Sequence, residues 1–307
     1  MGKLNWKTLI PLSLIFILYA VLRFYDLQHR TVFNWDQEQF SNQILQLVQD
    51  HKPTLLGPRV NNDFGFYLAP YFTYLLAPFY LLTKMHPFAM IIFQIFVNTG
   101  FFILAYKIVS KLFGVAHALF FLFLWTISYM IQDLETITWW PILIPPGILL
   151  LWYLESKLFK NPQETKFWIM TGIIAGFFMN MHFQFIFVLA QVGLFGLVLK
   201  SQNKKVLLKN IFIAIGGFLL MFAPLFIFDL RNNFLNSQLF VNYFLDKNTI
   251  YSVTYSDWPY IFANMFLPYI QIKTPLAGSV TLLALLISTV YLWKKTAGFK
   301  SLFYLTN

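Results

Sequence analysis

Two short acidic motifs carry the residue types best suited to chemistry in this chain. Asn34-Trp35-Asp36-Gln37-Glu38 holds one pair of carboxylates two residues apart, and Asp133-Leu134-Glu135 holds another. Such groups can accept a proton or bind a hard cation. The four arginines, Arg23, Arg30, Arg59 and Arg231, offer planar forks suited to phosphate. Arg59 and Asp63 flank Asn61-Asn62, Lys84 and His86 close an apolar segment, and His182 follows Asn180. There is no cysteine, which excludes disulfides and thiolate zinc sites. No Gly-rich phosphate loop, His-Glu-x-x-His or Ser/His/Asp signature is present.

Each group also has a plainer reading. Asp36 fits the N-cap of an amphipathic helix through Ser41, Ile44, Leu45, Leu47 and Val48, with Gln39 as capping-box partner. Capping needs one acid and leaves Glu38 unexplained. Asp133 and Glu135 fit a polar turn at the water surface, and the arginines fit snorkelling or structural roles. Asp229 and Arg231 fit a surface ion pair, and His182 a hydrogen-bonded packing residue.

The elements that must hold these groups are transmembrane helices. Of 307 residues, 58% are hydrophobic, 20% aromatic and only 11% charged, with a mean hydropathy of +0.63. Soluble domains carry about a quarter charged residues. The net charge of +10 is therefore read loop by loop, and it argues for no nucleic-acid partner. A helix crossing the bilayer needs about 20 apolar residues. The candidate spans are Thr8–Leu22, Pro87–Tyr106, Val115–Ile131, Trp139–Leu154, Phe167–Met181, Phe183–Leu199, Ile211–Phe228 and Pro275–Trp293. Met1–Lys7 is a short basic lead with no small-residue cleavage motif after it, so the first span reads as retained. Phe64–Leu82 is apolar but interrupted by Pro70 and Pro78, and it reads as interfacial. With that segment outside the membrane, fourteen lysines fall on the cytoplasmic side against only Glu155 and Glu164. If it spanned, twelve of them would lie outside. The positive-inside rule selects the first arrangement. The expectation is an all-α polytopic membrane protein with about eight transmembrane helices and both termini cytoplasmic. A long outer loop, from about Phe24 to His86, bears the interfacial helices.

The order of these parts resembles the GT-C class of membrane glycosyltransferases, in particular the protein O-mannosyltransferase and aminoarabinose-transferase type. The matching stretches are Asn34–Glu38, Gly57-Pro58-Arg59 with Tyr67–Tyr71 downstream, Lys111–Gly114, Gly172–His182 and Phe228–Arg231. Each motif is short, so specificity lies in their order and topology. Enzymes of this class usually run longer, so the chain is expected to be one GT-C-like domain over residues 1–307, a short member or a C-terminally truncated one. The resemblance implies a sugar donor on a polyprenyl phosphate, a glycan, lipid or protein acceptor on the outer face, and inversion at the anomeric carbon. It implies Asp36 as general base with Glu38 beside it, and Arg59, Arg231 and Lys84 on the donor phosphate. Asp133 and Glu135 become the acceptor-orienting second motif, with Asp63 and His182 as further candidates. No cofactor is required. If a magnesium or manganese ion binds, Asp36, Asp133 and Glu135 are its ligands. The lysine asymmetry is read as a plasma-membrane location. The rival readings are a transporter or flippase and a catalytically silent scaffold that binds lipid-linked sugar. Against the transporter, no ionisable residue is expected near the middle of a span.

Overall fold

The fold is known from a computed structural model, which describes residues 6–60, 65–199 and 203–245 together with Leu283. The first span is α1 (Trp6–Phe24), followed by a single turn, α2 (Leu27–Arg30). The long loop after it forms α3 (Trp35–Val48) and α4 (Tyr71–Leu82). The bundle continues with α5 (Phe88–Phe113), α6 (Val115–Ile127) and the short α7 (Tyr129–Leu134). A 3-10 turn at Trp140–Leu143 leads into α8 (Ile144–Lys160), and α9 (Thr165–Met179) follows. A second 3-10 turn, Phe183–Phe185, opens α10 (Ile186–Val198). The described chain closes with α11 (Lys204–Leu220), α12 (Ala223–Arg231) and α13 (Leu235–Leu245). Among the described residues the one β contact is an isolated antiparallel bridge between Arg59 and Tyr67.

Among the described residues, three helices are long and apolar enough to cross a bilayer: Trp6–Phe24, Phe88–Phe113 and Trp140–Lys160. The pair α11 and α12 is a fourth if it counts as one broken span, bent by 58°. Four further apolar helices are shorter, among them α4, α6 and α9. The expected eighth span, Pro275–Trp293, lies outside the described residues apart from Leu283. Outward-facing side chains are apolar, as lipid contact demands. On α1, Ile10, Leu14, Ile17 and Val21 form an exposed stripe, while Tyr19 and Arg23 face inward. In water such a stripe would be an aggregation liability.

The bend between α11 and α12 has a definite cause. Pro224 cannot continue the hydrogen-bond ladder of α11. At the break, the carbonyl of Met221, the residue after the end of α11, accepts hydrogen bonds from the Tyr71 hydroxyl at 2.8 Å and from Asn180 Nδ2 at 3.2 Å. Side chains thus satisfy the broken backbone inside the apolar region. Asn180 Oδ1 also accepts from the Ala69 amide at 3.0 Å, which ties the start of α4 to the same bend. Helices α9 and α11 touch through Gly172 and Gly176. A Cβ on Gly172 would lie 1.9 Å from the Ala214 carbonyl oxygen, and one on Gly176 would lie 2.5 Å from that of Phe218. Small residues four apart allow this backbone approach.

The main apolar core joins the helices of this loop to the bundle. Phe40 and Ile44 of α3 pack with Phe72 and Leu76 of α4, Phe93 of α5 and Phe178 of α9. Burial of side chains like these contributes about 1.5–3 kcal/mol each. The loop helices are therefore seated on the bundle and hold a fixed position above it.

Candidate active site

The expected cap of α3 is displaced by two residues. Asn34, not Asp36, is the N-cap, and Gln37, not Gln39, completes the capping box. Asn34 Oδ1 accepts from the Asp36 amide at 3.3 Å, and Gln37 Oε1 accepts from the Asn34 amide at 3.1 Å. The reason is that the Gln37 side chain is needed inside. It is fully buried, and its Nε2 donates to the Thr138 carbonyl at 2.8 Å. Asp36 is thereby released from capping. It stands in the first turn of α3, where the helix dipole favours an anion. It is half-buried, and among the described residues its carboxylate has no hydrogen-bond or ion-pair partner. Burial pushes its carboxyl above the ordinary carboxylate range.

Glu38 is exposed and lines an open cavity of ≈ 330 Å³ with Trp35, Gln39, Asn42, Gln43 and Gln46. Carboxamides and a carboxylate beside an indole can hydrogen-bond hydroxyl groups and cover an apolar sugar face.

The second acidic motif divides. Asp133 is exposed and, among the described residues, has no side-chain partner. Glu135 is drawn into the bundle, because the turn dips inward instead of lying at the water surface. Its Oε2 accepts from Arg23 Nε at 2.7 Å, and its Oε1 accepts from Trp125 Nε1 at 2.9 Å and the Tyr19 hydroxyl at 3.5 Å. Arg23 is fully buried and spends its remaining donors on the carbonyls of Thr126 and Trp125. Burial pushes the Glu135 carboxyl up, while Arg23, Trp125 and Tyr19 pull it back down. The Glu135 carbonyl accepts from Gln94 Nε2 and from Asn98 Nδ2. Gln94 Oε1 in turn accepts from the Thr138 hydroxyl at 2.9 Å. One hydrogen-bonded chain thus runs from the N-terminus of α3 through Gln37, Thr138, Gln94 and Glu135 to Arg23 on α1. It brings the two acidic motifs together at the mouth of the bundle. Sequence reading missed Gln37, Gln94 and Thr138; an amide or hydroxyl within an apolar stretch was the available signal.

The arginine-bearing segments meet on another side of the loop. Arg59 donates from Nε to the Gly65 carbonyl at 2.7 Å, and its guanidinium lies 5.4 Å from the Tyr67 ring centroid. The Tyr67 backbone is held by Asn236, whose Oδ1 accepts from its amide and whose Nδ2 donates to its carbonyl. Asn236 in turn donates its own amide to Asp229 Oδ1 at 2.7 Å. Asp229 is buried and also accepts from the Ser237 amide and hydroxyl. It caps α13, so the expected surface pair with Arg231 is not formed. Arg231 is exposed at the end of α12, two residues on. Lys84 is exposed beyond the end of α4, in a left-handed backbone conformation (φ 53°), and no side-chain contact joins it to either acidic motif among the described residues. Asp63 lies outside the described residues. His182 caps the 3-10 turn before α10 by accepting from the Gln184 amide at 3.2 Å, and burial pushes its imidazole below its usual value.

One charge sits deeper than expected. Glu155, counted among the cytoplasmic groups, is only 3% exposed in α8 and accepts from Gln191 Nε2 of α10 at 2.9 Å with both oxygens. Among the described residues no cluster of three or more His, Cys, Asp or Glu is poised to hold a metal ion. In the set Asp36, Asp133 and Glu135, the Glu135 carboxylate is already committed to Arg23 and Trp125.

Comparison with known proteins yields one match. Residues 68–228 match the family described as dolichyl-phosphate-mannose-protein mannosyltransferase. That region contains Lys84, Asp133, Glu135 and His182, whereas Asp36, Arg59 and Arg231 lie outside it. No curated protein and no solved structure gives a significant match. Since the matched region covers more than half of a chain whose helices form a polytopic bundle, the protein belongs to the dolichyl-phosphate-mannose-protein mannosyltransferase family, a GT-C type of membrane glycosyltransferase.

Proposed function

We propose that the chain transfers a glycosyl group from a polyprenyl-phosphate donor to a hydroxyl acceptor at the outer face of the membrane, with inversion at the anomeric carbon. The observation that carries this reading is Asp36: a half-buried carboxylate without a partner among the described residues, on a helix anchored at its first turn, whose other residues, from Trp35 to Gln46, line a cavity with amides. A base of this kind suits a poor nucleophile. As the acceptor oxygen attacks the anomeric carbon, its proton passes to Asp36. The bond from that carbon to the phosphate oxygen breaks, and the electron pair leaves with the lipid phosphate. Partial desolvation makes Asp36 a stronger base than a water-exposed carboxylate.

The leaving phosphate needs positive charge more than it needs an acid. Arg59 and Arg231 fill that role, with Arg59 preferred because it shares the outer loop with Asp36. Lys84 is the third candidate. Asp133, exposed and unpaired, orients the acceptor, while Glu135 holds Arg23 and acts through structure. Asp63 and His182 remain candidates for donor or acceptor contacts. No metal is required by this scheme. The accompanying topology has eight spans and cytoplasmic termini in a plasma membrane, with the lysine-rich turns inside and the sugar kept at the outer surface.

The test is single-turnover transfer from labelled polyprenyl-phosphate sugars to an extract of outer-face acceptors, by the full chain in nanodiscs. The expected result is label transfer with release of polyprenyl phosphate, unchanged by a chelator. Asp36→Asn should lower the rate by about 10²-fold or more with donor binding preserved. Asp36→Asn turnover equal to wild type would remove Asp36 as base. Bound donor with no transfer by folded wild type would favour the scaffold, and movement of intact donor across the membrane would favour the flippase.

A further inference from the structure

Helix α5 carries Gln94, at the mouth, and Lys111 seventeen residues later, which places them about 25 Å apart along the axis. At that far end the last turns of α5 and α8 enclose a pocket of ≈ 200 Å³ lined by Lys111, Leu112, Tyr153, Ser156, Lys157 and Lys160. Lys111 Nζ donates to the Tyr153 hydroxyl at 3.0 Å and lies 4.8 Å from the ring centroid. Lys157 Nζ lies 5.4 Å from the same centroid. Three ammonium groups therefore share one cavity, two of them over one ring.

No carboxylate lines the pocket. Among the described residues none of the three lysines forms an ion pair. The nearest acids in sequence are engaged elsewhere: Glu164 pairs with Lys166 at 3.1 Å, and Glu155 is buried against Gln191. Basic residues in a last turn offset the helix dipole, and that explains part of the arrangement. Each helix end supplies roughly −0.5 of an elementary charge, so two ends cancel about one lysine and leave roughly +2. Ser156 Oγ already donates to the Tyr153 carbonyl at 2.6 Å. The Tyr153 hydroxyl, which accepts from Lys111, keeps its own proton to donate. The concave, cationic site with one neutral donor has the chemistry of a phosphate receptor.

We propose that this pocket binds a phosphate group, presented by the headgroup of an anionic phospholipid in the leaflet at the lysine-rich end. Its position at the end of two membrane helices puts the cations at headgroup level, where a polybasic site gains from the surface charge of that leaflet. The pocket is separate from the transfer site, and its occupancy is independent of the transfer chemistry.

The experiment is native mass spectrometry of the full chain released from vesicles of phosphatidylglycerol and phosphatidylcholine in equal parts. Wild type should retain phosphatidylglycerol preferentially. Each Lys→Gln change at 111, 157 or 160 should weaken that preference roughly fivefold. The triple Lys→Arg variant should keep it, as should Lys204→Gln/Lys209→Gln at the same end of the bundle. Melting temperature confirms that each variant is folded, and the Lys157→Gln variant carries the test if the Lys→Gln change at 111 or 160 does not fold. Equal retention of both lipids by wild type overturns the proposal. So does an equal loss in Lys204→Gln/Lys209→Gln, which would make the effect one of general surface charge. Titration with inorganic phosphate separates the sources: competition with the lipid supports the headgroup phosphate as ligand. Phosphate binding without lipid preference overturns the lipid source.

Discussion

The two acidic motifs have the same spacing and opposite fates. In Asp36-Gln37-Glu38 one carboxylate is half-buried, the other is exposed, and the intervening amide is fully buried. In Asp133-Leu134-Glu135 one carboxylate stays out and the other is buried on Arg23. A carboxylate can enter this bundle only where a cation and hydrogen-bond donors await it, because an unpaired buried charge is costly. Arg23 provides that place for Glu135, with Trp125 and Tyr19 beside it. At the first motif a neutral amide does the anchoring, which leaves both acids for other work. Similar sequence patterns therefore yield a candidate base in one case and a structural clasp in the other.

The contrast can be broken most strongly at the clasp. Glu135→Ala should strand Arg23 in the bundle and cost about 3–5 kcal/mol, seen as a lowered melting temperature and poor recovery of folded protein. The double change Arg23→Met/Glu135→Leu should recover much of that loss, since it removes both charges together; no recovery would mean the pair has another role. Asp36→Asn reverses the pattern: turnover falls by about 10²-fold or more while the melting temperature holds. A large drop in stability instead would make Asp36 structural.

Gln37→Ala tests the link between the motifs. It removes a cap partner and leaves the Thr138 carbonyl without that donor, for a cost of about 1–3 kcal/mol with a lower kcat. A reduced melting temperature with unchanged kcat would show that Asp36 keeps its place without the anchor. The pH profile sharpens the roles further. Asp36 must be ionised to take a proton, and its raised pKa means that activity is lost as pH falls through a value above the ordinary carboxylate range. Folding favours its protonated form, so the same group contributes most stability at low pH and less as pH rises. The acidic limb should persist in Glu38→Gln and vanish from the residual activity of Asp36→Asn. The smallest effect is expected for Glu38→Gln, whose exposed side chain should change the transfer rate within about threefold. A larger fall would move Glu38 into the reacting centre.

Much of the frame was legible from composition. Runs of apolar residues announced α1, α5 and the helix from Trp140 to Lys160, and the prolines at 70 and 78 marked α4 as short. The break between Phe167–Met181 and Phe183–Leu199 was placed at the polar point Asn180–His182, where α9 ends and a 3-10 turn begins. The bend before α12 was missed, although Pro224 signals it, because the apolar run continues through it. The cap was misplaced by two residues because Asn34 and Asp36 are both good N-caps, and local preference cannot choose between them. Tertiary contact chose: Gln37 reaches Thr138, and that fixes the helix register. Asp229 was read as a surface group for the same reason, since its partners Asn236 and Ser237 belong to a helix start that no strong pattern marks.

The sequence by itself determined that the chain is a bundle of apolar helices and which few polar groups could act, and it set the expectation that most lysines fall on one side of the spans. Those properties are sums over local composition, and the solvent, lipid or water, responds to them directly. Only the tertiary structure decided which of those groups are free. Arg23 and Glu135 are 112 residues apart, and nothing near either one announces the other. Burial is the quantity that separates a clasp from a base, and it is a property of what the folded chain packs around a side chain.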